Sequence, residues 1–292
     1  MKCWVCDSNS MSFYRDGQKN ISAKDLCITD SRYGLALPLY KCLKCEFLQC
    51  DTEKLDDLYG QLEDDAYIES SEQRKKQFEF LLKKTLPFIR KSPEDRSVSP
   101  YPYNVLDIGA GTGLFVKLAL EHGMAAQGIE PSAYLADYAV SQGIPVVHSS
   151  VPDYPECSFD AMYMTDVLEH IAAPLPLLQA YNRALKTGGA LFITIPDTSS
   201  VVARVMGRSW WHCRLAHVGY YNKKTLNHIM TKAGFILECY LPVRWYFAAG
   251  YAFERAAVYL PFLRRKRCPK VLENLCVPIS FGDSILSVYL KN

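Results

Sequence analysis

Three glycines and two acids lie in two short stretches near the middle of the chain. The segment VLDIGAGTGLF contains Asp107, Gly109, Gly111 and Gly113, and Glu130 follows 17 residues after the last glycine, in GIEPS. Glycines after a strand let the backbone approach a ligand, and the first N–H groups of the following helix face that ligand. Because a carboxylate repels a pyrophosphate, an acid at this turn favours a ligand with a cationic group.

The spacing of these residues separates two candidate cofactors. A dinucleotide site has the pattern Gly-x-Gly-x-x-Gly, but Leu114 stands where the third glycine belongs. S-adenosylmethionine carries an amino group and a sulfonium and has no phosphate, which suits Asp107. Glu130, at the predicted end of the next strand, can accept both ribose hydroxyls. The residues therefore favour S-adenosylmethionine over NAD.

Two histidines follow later predicted strands on the same side of the sheet. His170 lies in DVLEH, and His217 lies in RLAHVGYY. A hydroxyl nucleophile benefits from a base with a pKa near neutrality, which imidazole provides. His170 is also interpreted as an organiser of its loop and His217 as a substrate contact, and an acceptor that is already a deprotonated amine needs no base.

Aromatic residues near the second histidine could line an acceptor pocket for a ring or a sugar, or they could pack in the core. They are Trp210, Trp211, Tyr220 and Tyr221, together with His212. Tyr67 belongs to a charged, helix-prone segment and is either a lid over the site or a surface helix residue.

Four cysteines near the N-terminus, in two Cys-x-x-Cys pairs, predict a structural zinc site. They are Cys3, Cys6, Cys42 and Cys45. Two such turns complete a tetrahedron of thiolates around Zn²⁺. The loop between the pairs is longer than in the commonest zinc ribbons. Cys27 and Cys50 are therefore alternative candidates for one of the four ligand positions. Ordinary thiols and redox work are the alternatives to zinc.

Short apolar runs that alternate with amphipathic segments predict a parallel sheet covered by helices on both faces. The predicted strands are NVLDIG, AAQGIE, PVVHS, FDAMYMTD, ALFITIP, FILECYL and DSILSVYLK. One of the helices begins at the cap Asn222 and ends before Gly234. The stretch KSPEDRSVSPYP is a linker, which predicts a domain boundary near residue 100.

Composition limits the class of protein and its partners. The chain has 292 residues, 49% of them hydrophobic, and a net charge of +2 from 33 basic and 31 acidic side chains. This balance gives no global attraction to nucleic acid or to an anionic membrane. The N-terminus lacks the apolar run of a signal peptide, so we expect a cytoplasmic protein whose 11 cysteines are reduced and available for metal.

The chain resembles the class I S-adenosylmethionine-dependent methyltransferases through five segments, in order, over roughly residues 100 to 240. They are VLDIGAGTGLF, GIEPS, FDAMYMTDVLEHI, LKTGGALFITIPD and HVGYYNKKTLNHIMTKAGF. It looks most like the small-molecule branch that includes the ubiquinone-biosynthesis O-methyltransferases, particularly members with an N-terminal zinc ribbon. The resemblance implies an α/β, Rossmann-like sheet of seven strands in the order 3-2-1-4-5-7-6, with the last strand antiparallel.

The resemblance also assigns roles to single positions. It gives the methionine amino group to Asp107, the ribose to Glu130 and the adenine to Ser150 and Val151, and it places Asp166 facing the site. The full implied cofactor set is Asp107, Gly109, Ala110, Gly111, Gly113, Glu130, Pro131, Ser150, Val151 and Asp166.

The domain organisation follows from these segments. We predict a zinc-ribbon-like module at residues 1–50, a helical segment and linker at 51–100, and a class I methyltransferase domain at 101–292 with a helical insertion at about 243–282. The zinc module could shape the acceptor site, mediate dimerisation or stabilise the N-terminus. The segment at 244–267 is predicted to join an apolar, aromatic helix to a basic cluster, which could rest on a membrane surface, cap a substrate or form a dimer contact.

The predicted function is methylation of a small molecule at an oxygen or a nitrogen, on a sugar, a polyketide or a similar metabolite. The superfamily also has C-methylating sugar enzymes with zinc-binding modules. RNA or protein methylation is disfavoured because MTDV stands where Asn-Pro-Pro-Tyr or Asp-Pro-Pro-Tyr would follow the fourth strand. The alternative from another class is a zinc-ribbon binding protein with an inactive methyltransferase domain, which the intact Asp107 and Glu130 disfavour.

Overall fold

Two sheets organise the chain. The computed structural model describes residues 1–18, 21–26, 34–51, 67–68, 71–90, 103–151, 153–260 and 268–292. Within these residues, seven strands form a large mixed sheet, four form a smaller antiparallel sheet and two form a separate pair. The strands are β1 (Met11–Arg15), β2 (Leu39–Cys42), β3 (Leu48–Cys50), β4 (Asn104–Ile108), β5 (Ala125–Glu130), β6 (Val146–His148), β7 (Phe159–Thr165), β8 (Leu185–Pro196), β9 (Gly219–Tyr220), β10 (Phe235–Leu241), β11 (Trp245–Ala248), β12 (Cys276–Ile279) and β13 (Ser284–Lys291).

Helices cover the large sheet, and short 3₁₀ turns follow several of its elements. The α-helices are α1 (Ser71–Thr85), α2 (Leu114–Glu121), α3 (Ala133–Ser141), α4 (Leu175–Ala184), α5 (Val201–Met206), α6 (Lys223–Lys232), α7 (Ala249–Tyr259) and α8 (Lys270–Glu273). Helix α6 begins where the sequence predicts, because the Asn222 side chain accepts from the backbone N–H of Thr225 in a capping box. No helix in these residues is long and apolar enough to cross a membrane.

The large sheet has the order β6-β5-β4-β7-β8-β13-β10. Strands β4 to β8 pair in parallel, whereas β13 runs antiparallel to both of its neighbours. This is the order 3-2-1-4-5-7-6 with an antiparallel last strand, so the predicted α/β fold is confirmed. The carboxyl ends of β4, β5 and β7 therefore lie side by side at one edge, where such sheets bind ligands.

The smaller sheet joins the N-terminal residues to a much later part of the chain. Its order is β1-β2-β3-β9, and β9 follows the fifth strand of the large sheet, β8, along the chain. The core follows the same connection, because Cys3, Val5 and Phe47 pack in one buried cluster with Tyr221 and Leu226.

The sequence predicts a helix within residues 244–267, and the predicted start of this helix is wrong. Trp245–Ala248 forms strand β11, which pairs with Cys276–Ile279, and helix α7 begins only at Ala249. Consecutive aromatic residues favour a strand over a helix, which accounts for the difference. Residues 261–267, with most of the basic cluster, lie outside the described residues.

Candidate functional site

The glycine-rich segment forms a tight turn between β4 and α2. Gly109, Gly111 and Gly113 have φ angles of 71°, 52° and 73°, in the left-handed region that favours glycine. The backbone N–H groups of Gly109 and Ala110 both donate to the carbonyl oxygen of Ile129. These bonds fasten the turn, which we call the cofactor turn (residues 109–113), to the end of β5.

Two buried acids meet at this turn. The Glu130 carboxylate accepts from the backbone N–H of Gly111 at 2.7 Å and from that of Ser132 at 2.8 Å. Burial, reinforced by the charge of Glu130, raises the pKa of Asp107 well above its ordinary value. Burial also raises the pKa of Glu130, although the two N–H donors partly oppose it. A ligand that brings positive charge to these carboxylates would relieve an unfavourable electrostatic energy.

Tyr67 lies over the cofactor turn and does not point away from it. A Cβ atom on Gly111 would lie 2.9 Å from both Cε1 and the hydroxyl of Tyr67. The guanidinium of Arg74 lies 3.5 Å from the centre of the Tyr67 ring. The structure therefore favours the lid interpretation of Tyr67 over that of a surface helix residue.

The other predicted cofactor residues surround the same edge. Pro131 follows β5, and its carbonyl oxygen lies 3.1 Å from Nε2 of His148. Ser150 and Val151 are exposed after β6. Asp166 follows β7 with a φ angle of 54°. Burial raises its pKa to about 7, against the opposing charge of Arg214.

The two predicted histidines meet face to edge beyond β7. The rings of His170 and His217 lie 4.7 Å apart at an interplanar angle of 90°. Nδ1 of His170 donates to the carbonyl oxygen of Ala216 at 2.8 Å, because a carbonyl can only accept. Burial lowers the pKa of His170 to about 4 and the pKa of His217 well below its ordinary value, so both rings are neutral at neutral pH.

Glu169 completes this cluster. Its carboxyl group is 2% exposed and has no hydrogen-bond partner for either oxygen among the described residues. Burial, followed by the charge of Asp166, raises its pKa well above the ordinary value. The donor atoms of Glu169, His170 and His217 all lie within 4.8 Å of one another. One carboxylate and two imidazoles at this separation could also hold a divalent cation.

Most of the predicted pocket aromatics are buried in the core. Tyr221 packs on Phe47 with ring centroids 4.7 Å apart, and Trp210 and Tyr220 belong to a second buried cluster. The indole N–H of Trp210 donates to the Asp283 carboxylate at 3.1 Å. Trp211 is partly buried, and its ring centroid lies 5.1 Å from that of Phe281. Trp210, Tyr220 and Tyr221 therefore pack in the core, and Trp211 is the fourth of these aromatic residues.

The four predicted cysteine ligands converge. The Sγ atoms of Cys3 and Cys45 lie 3.6 Å apart, those of Cys6 and Cys42 lie 3.5 Å apart, and all four are within 4.8 Å of one another. Tetrahedral zinc with four thiolates requires separations of about 3.8 Å between sulfur atoms. The donor set therefore fits zinc in type, number and spacing.

The substitute cysteines have separate outcomes. The Cys50 thiol points away from the cluster and lies 3.6 Å from the carbonyl oxygen of His217, to which it donates. Burial raises its pKa to about 12, so it stays a neutral thiol. Cys27 lies outside the described residues.

Sequence comparison identifies the family. A model of the methyltransferase domain family matches residues 61–240, which include the cofactor turn, both acids and both histidines. The chain belongs to this family. The methyltransferase also shares its fold with a crystal structure of a SAM-dependent methyltransferase from Archaeoglobus fulgidus, at a TM-score of 0.50 and 16% identity, over 78% of this chain and 100% of that one.

Curated relatives of this methyltransferase include enzymes of ubiquinone biosynthesis. The mitochondrial ubiquinone biosynthesis O-methyltransferase of Mus musculus is 29% identical over 128 residues, which cover 37% of this chain and 34% of the mouse protein. The ubiquinone biosynthesis O-methyltransferase of Sodalis glossinidius (strain morsitans) is 27% identical over 109 residues, covering 34% of this chain and 44% of the relative. The matched region thus spans less than half the length of each of these relatives.

Three residues of the candidate site are not predictable from the sequence. Glu169 stands beside His170 in DVLEH, but nothing in the sequence indicates that it is buried. Asp283 and Arg214 act across long sequence distances, on Trp210 and Asp166 respectively. A one-dimensional pattern carries no signal for such pairs.

Proposed function

We propose that this methyltransferase uses S-adenosylmethionine to methylate a small molecule held beside His170 and His217. The observation that carries the proposal is the buried pair Asp107 and Glu130, which lies beside the cofactor turn. When bound, the cofactor supplies a methyl group on a sulfonium, which is open to in-line attack. In this proposal Asp107 binds the methionine amino group and Glu130 binds the ribose hydroxyls.

The remaining implied cofactor residues take positions around this pair. The backbone of Gly109, Ala110 and Gly111 packs on the methionyl part, and Gly113 lets α2 begin directly after the turn. Pro131 follows the ribose-binding acid, and Ser150 and Val151 border the adenine. Asp166 faces the methyl acceptor from the end of β7. The exposure of the residues after β6 fits an adenine that lies at the rim of the site.

We assign the acceptor side to the histidine cluster. Both rings are neutral at neutral pH and can accept a proton, but their lowered pKa makes each a weaker base than an exposed imidazole. Nδ1 of His170 donates to the backbone carbonyl oxygen of Ala216. This bond holds its ring in place and suits the role of an organiser. We therefore propose His217 as the base or substrate contact and His170 as the residue that fixes it.

The acceptor is proposed to be an oxygen or a nitrogen of a small metabolite. The names of the relatives support an O-methyl acceptor, and the burial of the histidine pair supports an acceptor small enough to enter between loops. The inserted unit between β10 and β13 is proposed to cap this acceptor. Trp211 packs against it, with ring centroids 6.2 Å from Tyr259 and 5.1 Å from Phe281.

We also propose that Cys3, Cys6, Cys42 and Cys45 hold a structural Zn²⁺. The two Cys-x-x-Cys turns have the same backbone form, since Asp7 and Glu46, each directly after the second cysteine, have φ angles of 60° and 67°. In each turn the N–H of this residue donates to the carbonyl oxygen of the first cysteine. Two matching turns that face each other support a shared metal.

Calorimetric titration with S-adenosylhomocysteine tests the cofactor assignment, with NAD as the control ligand. We expect micromolar binding of S-adenosylhomocysteine and none of NAD. Asp107→Ala and Glu130→Ala each weaken binding at least about tenfold, because each removes a charged hydrogen-bonding partner.

Glu121→Ala is the matched control, since Glu121 is an exposed acid at the end of α2. It leaves the affinity unchanged. If the folded protein does not bind S-adenosylhomocysteine, or if all three variants bind equally well, the proposed function is wrong. Confirmed binding then justifies a screen of acceptors with a labelled methyl donor.

A further inference from the structure

The segment that carries His217 lies between two parts of the molecule that are distant in sequence. We call residues 210–221 the acceptor loop. On one side, the backbone N–H of Val218 donates to the carbonyl oxygen of Glu169 at 2.8 Å, and the carbonyl oxygen of Ala216 accepts from the ring of His170. The acceptor loop is thereby tied to the 3₁₀ turn that bears the other two members of the cluster.

On its other side, the acceptor loop contributes strand β9 to the N-terminal sheet. Leu48 pairs with Tyr220 and Gln49 pairs with Gly219 in an antiparallel ladder. The backbone N–H of Cys50 donates to the carbonyl oxygen of Val218 at 2.8 Å. Val218 therefore bonds to β3 through its carbonyl and to Glu169 through its N–H, and in this way it links β3 to the histidine cluster.

Strand β3 depends in turn on the cysteine cluster. The turn from Cys42 to Cys45 connects β2 to β3, and the N–H of Cys42 donates to the carbonyl oxygen of Phe47 at 2.9 Å. The Cys3–Cys6 turn meets β3 through Gln49, which is 0% exposed. Its side chain accepts from the N–H of Trp4 at 3.0 Å and donates to the carbonyl oxygen of Lys2 at 3.0 Å.

Side-chain packing follows the same path. Leu37, Leu39 and Cys50 share a buried cluster with Leu215 and Val218 of the acceptor loop. This cluster contains no residue of the cofactor turn. A module of about 50 residues rarely buries enough apolar surface to hold its own fold, so a bound metal supplies the missing stability.

From this geometry we propose that the four-cysteine module is a positioning element of the acceptor site: β3 and Gln49 hold the acceptor loop, and with it His217, against Glu169 and His170. The inference rests on the proposed function, because it gives the metal module a task in that same site. Of the three roles considered for the module, which are shaping the acceptor site, mediating dimerisation and stabilising the N-terminus, this inference selects the first. The hydrogen bonds that run from the cysteine turns through β3 to the acceptor loop include no residue of the cofactor turn.

Hydrogen exchange measured by mass spectrometry tests the proposal on the intact chain of 292 residues. The protein is analysed for zinc and compared before and after treatment with a chelator. We expect exchange in peptides from the acceptor loop to accelerate at least about tenfold, because the metal no longer holds β3 in place. Peptides from the cofactor turn should change less than about twofold, and so should the affinity for S-adenosylhomocysteine.

A second variant covers the case in which removal of the metal unfolds the chain. Gln49→Ala keeps all four cysteines and removes the hydrogen bonds to Trp4 and Lys2, and Gln142→Ala, an exposed glutamine after α3, is the matched control. With zinc bound, Gln49→Ala should accelerate exchange in the acceptor loop alone, and the control should change neither region.

Two results would overturn the inference. In one, the acceptor loop keeps its protection in both the chelated protein and Gln49→Ala. In the other, the cofactor turn opens as much as the acceptor loop in both, which means that the module supports the whole fold. Failure of the zinc-loaded protein to bind S-adenosylhomocysteine would instead count against the proposed function, and the exchange data would still report on the loop.

Discussion

The cofactor side and the acceptor side of the site are built in opposite ways. The centre of the cofactor side comes from one continuous unit, β4 to β5, in which Asp107 and Glu130 meet around a single glycine turn. The acceptor side is assembled from β3, the turn after β7, the acceptor loop and the residues before β13. The first half is thus local in sequence, whereas the second is held together by long-range contacts.

This difference has an energetic consequence. The cofactor side contains two carboxylates whose burial is unfavourable without a cationic ligand. The acceptor side contains two neutral rings and a buried carboxyl, carried by a loop and a turn that backbone hydrogen bonds join to each other and to β3. We therefore expect variants of the two halves to differ in what they damage: cofactor binding on one side, and methyl transfer on the other.

The largest expected effect belongs to His217→Ala. Loss of the proposed base should slow methyl transfer by at least about 100-fold, while the affinity for S-adenosylhomocysteine should stay within about twofold. Single-turnover transfer to the acceptor found by screening measures the first quantity, and calorimetry measures the second. His228→Ala, an exposed histidine on α6, serves as the control and leaves both unchanged. An equal loss of cofactor affinity would contradict the division into two halves.

A smaller effect is expected from Gly113→Ala on the cofactor side. The variant should lose about 2 kcal/mol or more in free energy of unfolding, from a left-handed residue with a side chain and from overpacking. Its Cβ atom would lie 2.7 Å from Cγ2 of Ile144, at a φ angle of 73°. Urea unfolding measures this change.

Gly188→Ala separates the two contributions to this loss. Gly188 has a φ angle of 72°, and a Cβ atom added there would meet no atom of the described residues within 4 Å beyond its chain neighbours. It should therefore cost only the backbone part, about 1 to 2 kcal/mol. Equal losses in the two variants would show that close packing beneath the cofactor turn contributes nothing.

Asp107→Asn should have opposite effects on stability and on binding. Because burial raises the pKa of Asp107, its ionised form destabilises the ligand-free fold, and the variant should be more stable by about 1 kcal/mol or more at neutral pH. This gain grows as the pH rises above the ordinary pKa of about 3.9 and disappears below it. Affinity for S-adenosylhomocysteine should fall about tenfold.

Thermal unfolding at several pH values and calorimetry give the two quantities. Asp137→Asn, an exposed acid on α3, should change neither. A destabilised Asp107→Asn protein would mean that another group in the fold already compensates this carboxylate.

The same contrast explains what could be predicted from sequence. Asp107, the glycines and Glu130 were predictable because strand, turn, helix and strand follow one another, so that spacing along the chain determines proximity in space. The four cysteines were predictable for a related reason, since each Cys-x-x-Cys turn is a local unit. The family resemblance implies the order of the large sheet, and the alternating apolar runs predict only a parallel sheet covered by helices.

The remaining features depend on contacts that no local pattern encodes. Nothing in RLAHVGYY indicates that Gly219 and Tyr220 pair with a strand near the N-terminus. The aromatic residues at 245–247 were interpreted as helical because their apolar character fits either structure, and only the partner strand Cys276–Ile279 decides. Burial of Glu169 likewise results from elements on both sides of it.

A further expected effect concerns the indole N–H of Trp210, which donates to the Asp283 carboxylate on the acceptor side. Burial raises the pKa of Asp283, and the hydrogen bond from Trp210 partly opposes that rise. Trp210→Phe should cost about 1.5 kcal/mol when Asp283 is ionised, and this part of the loss should shrink as the pH falls through the pKa of Asp283. Urea unfolding at several pH values measures it.

Trp245→Phe is the matched control, because its indole N–H donates to the neutral hydroxyl of Ser284 at 3.2 Å. Both variants lose volume and one hydrogen bond, but only Trp210→Phe removes a donor from a carboxylate. The loss in Trp245→Phe should therefore be independent of pH. Parallel pH profiles would show that the indole of Trp210 contributes its volume and not its hydrogen bond to the Asp283 carboxylate.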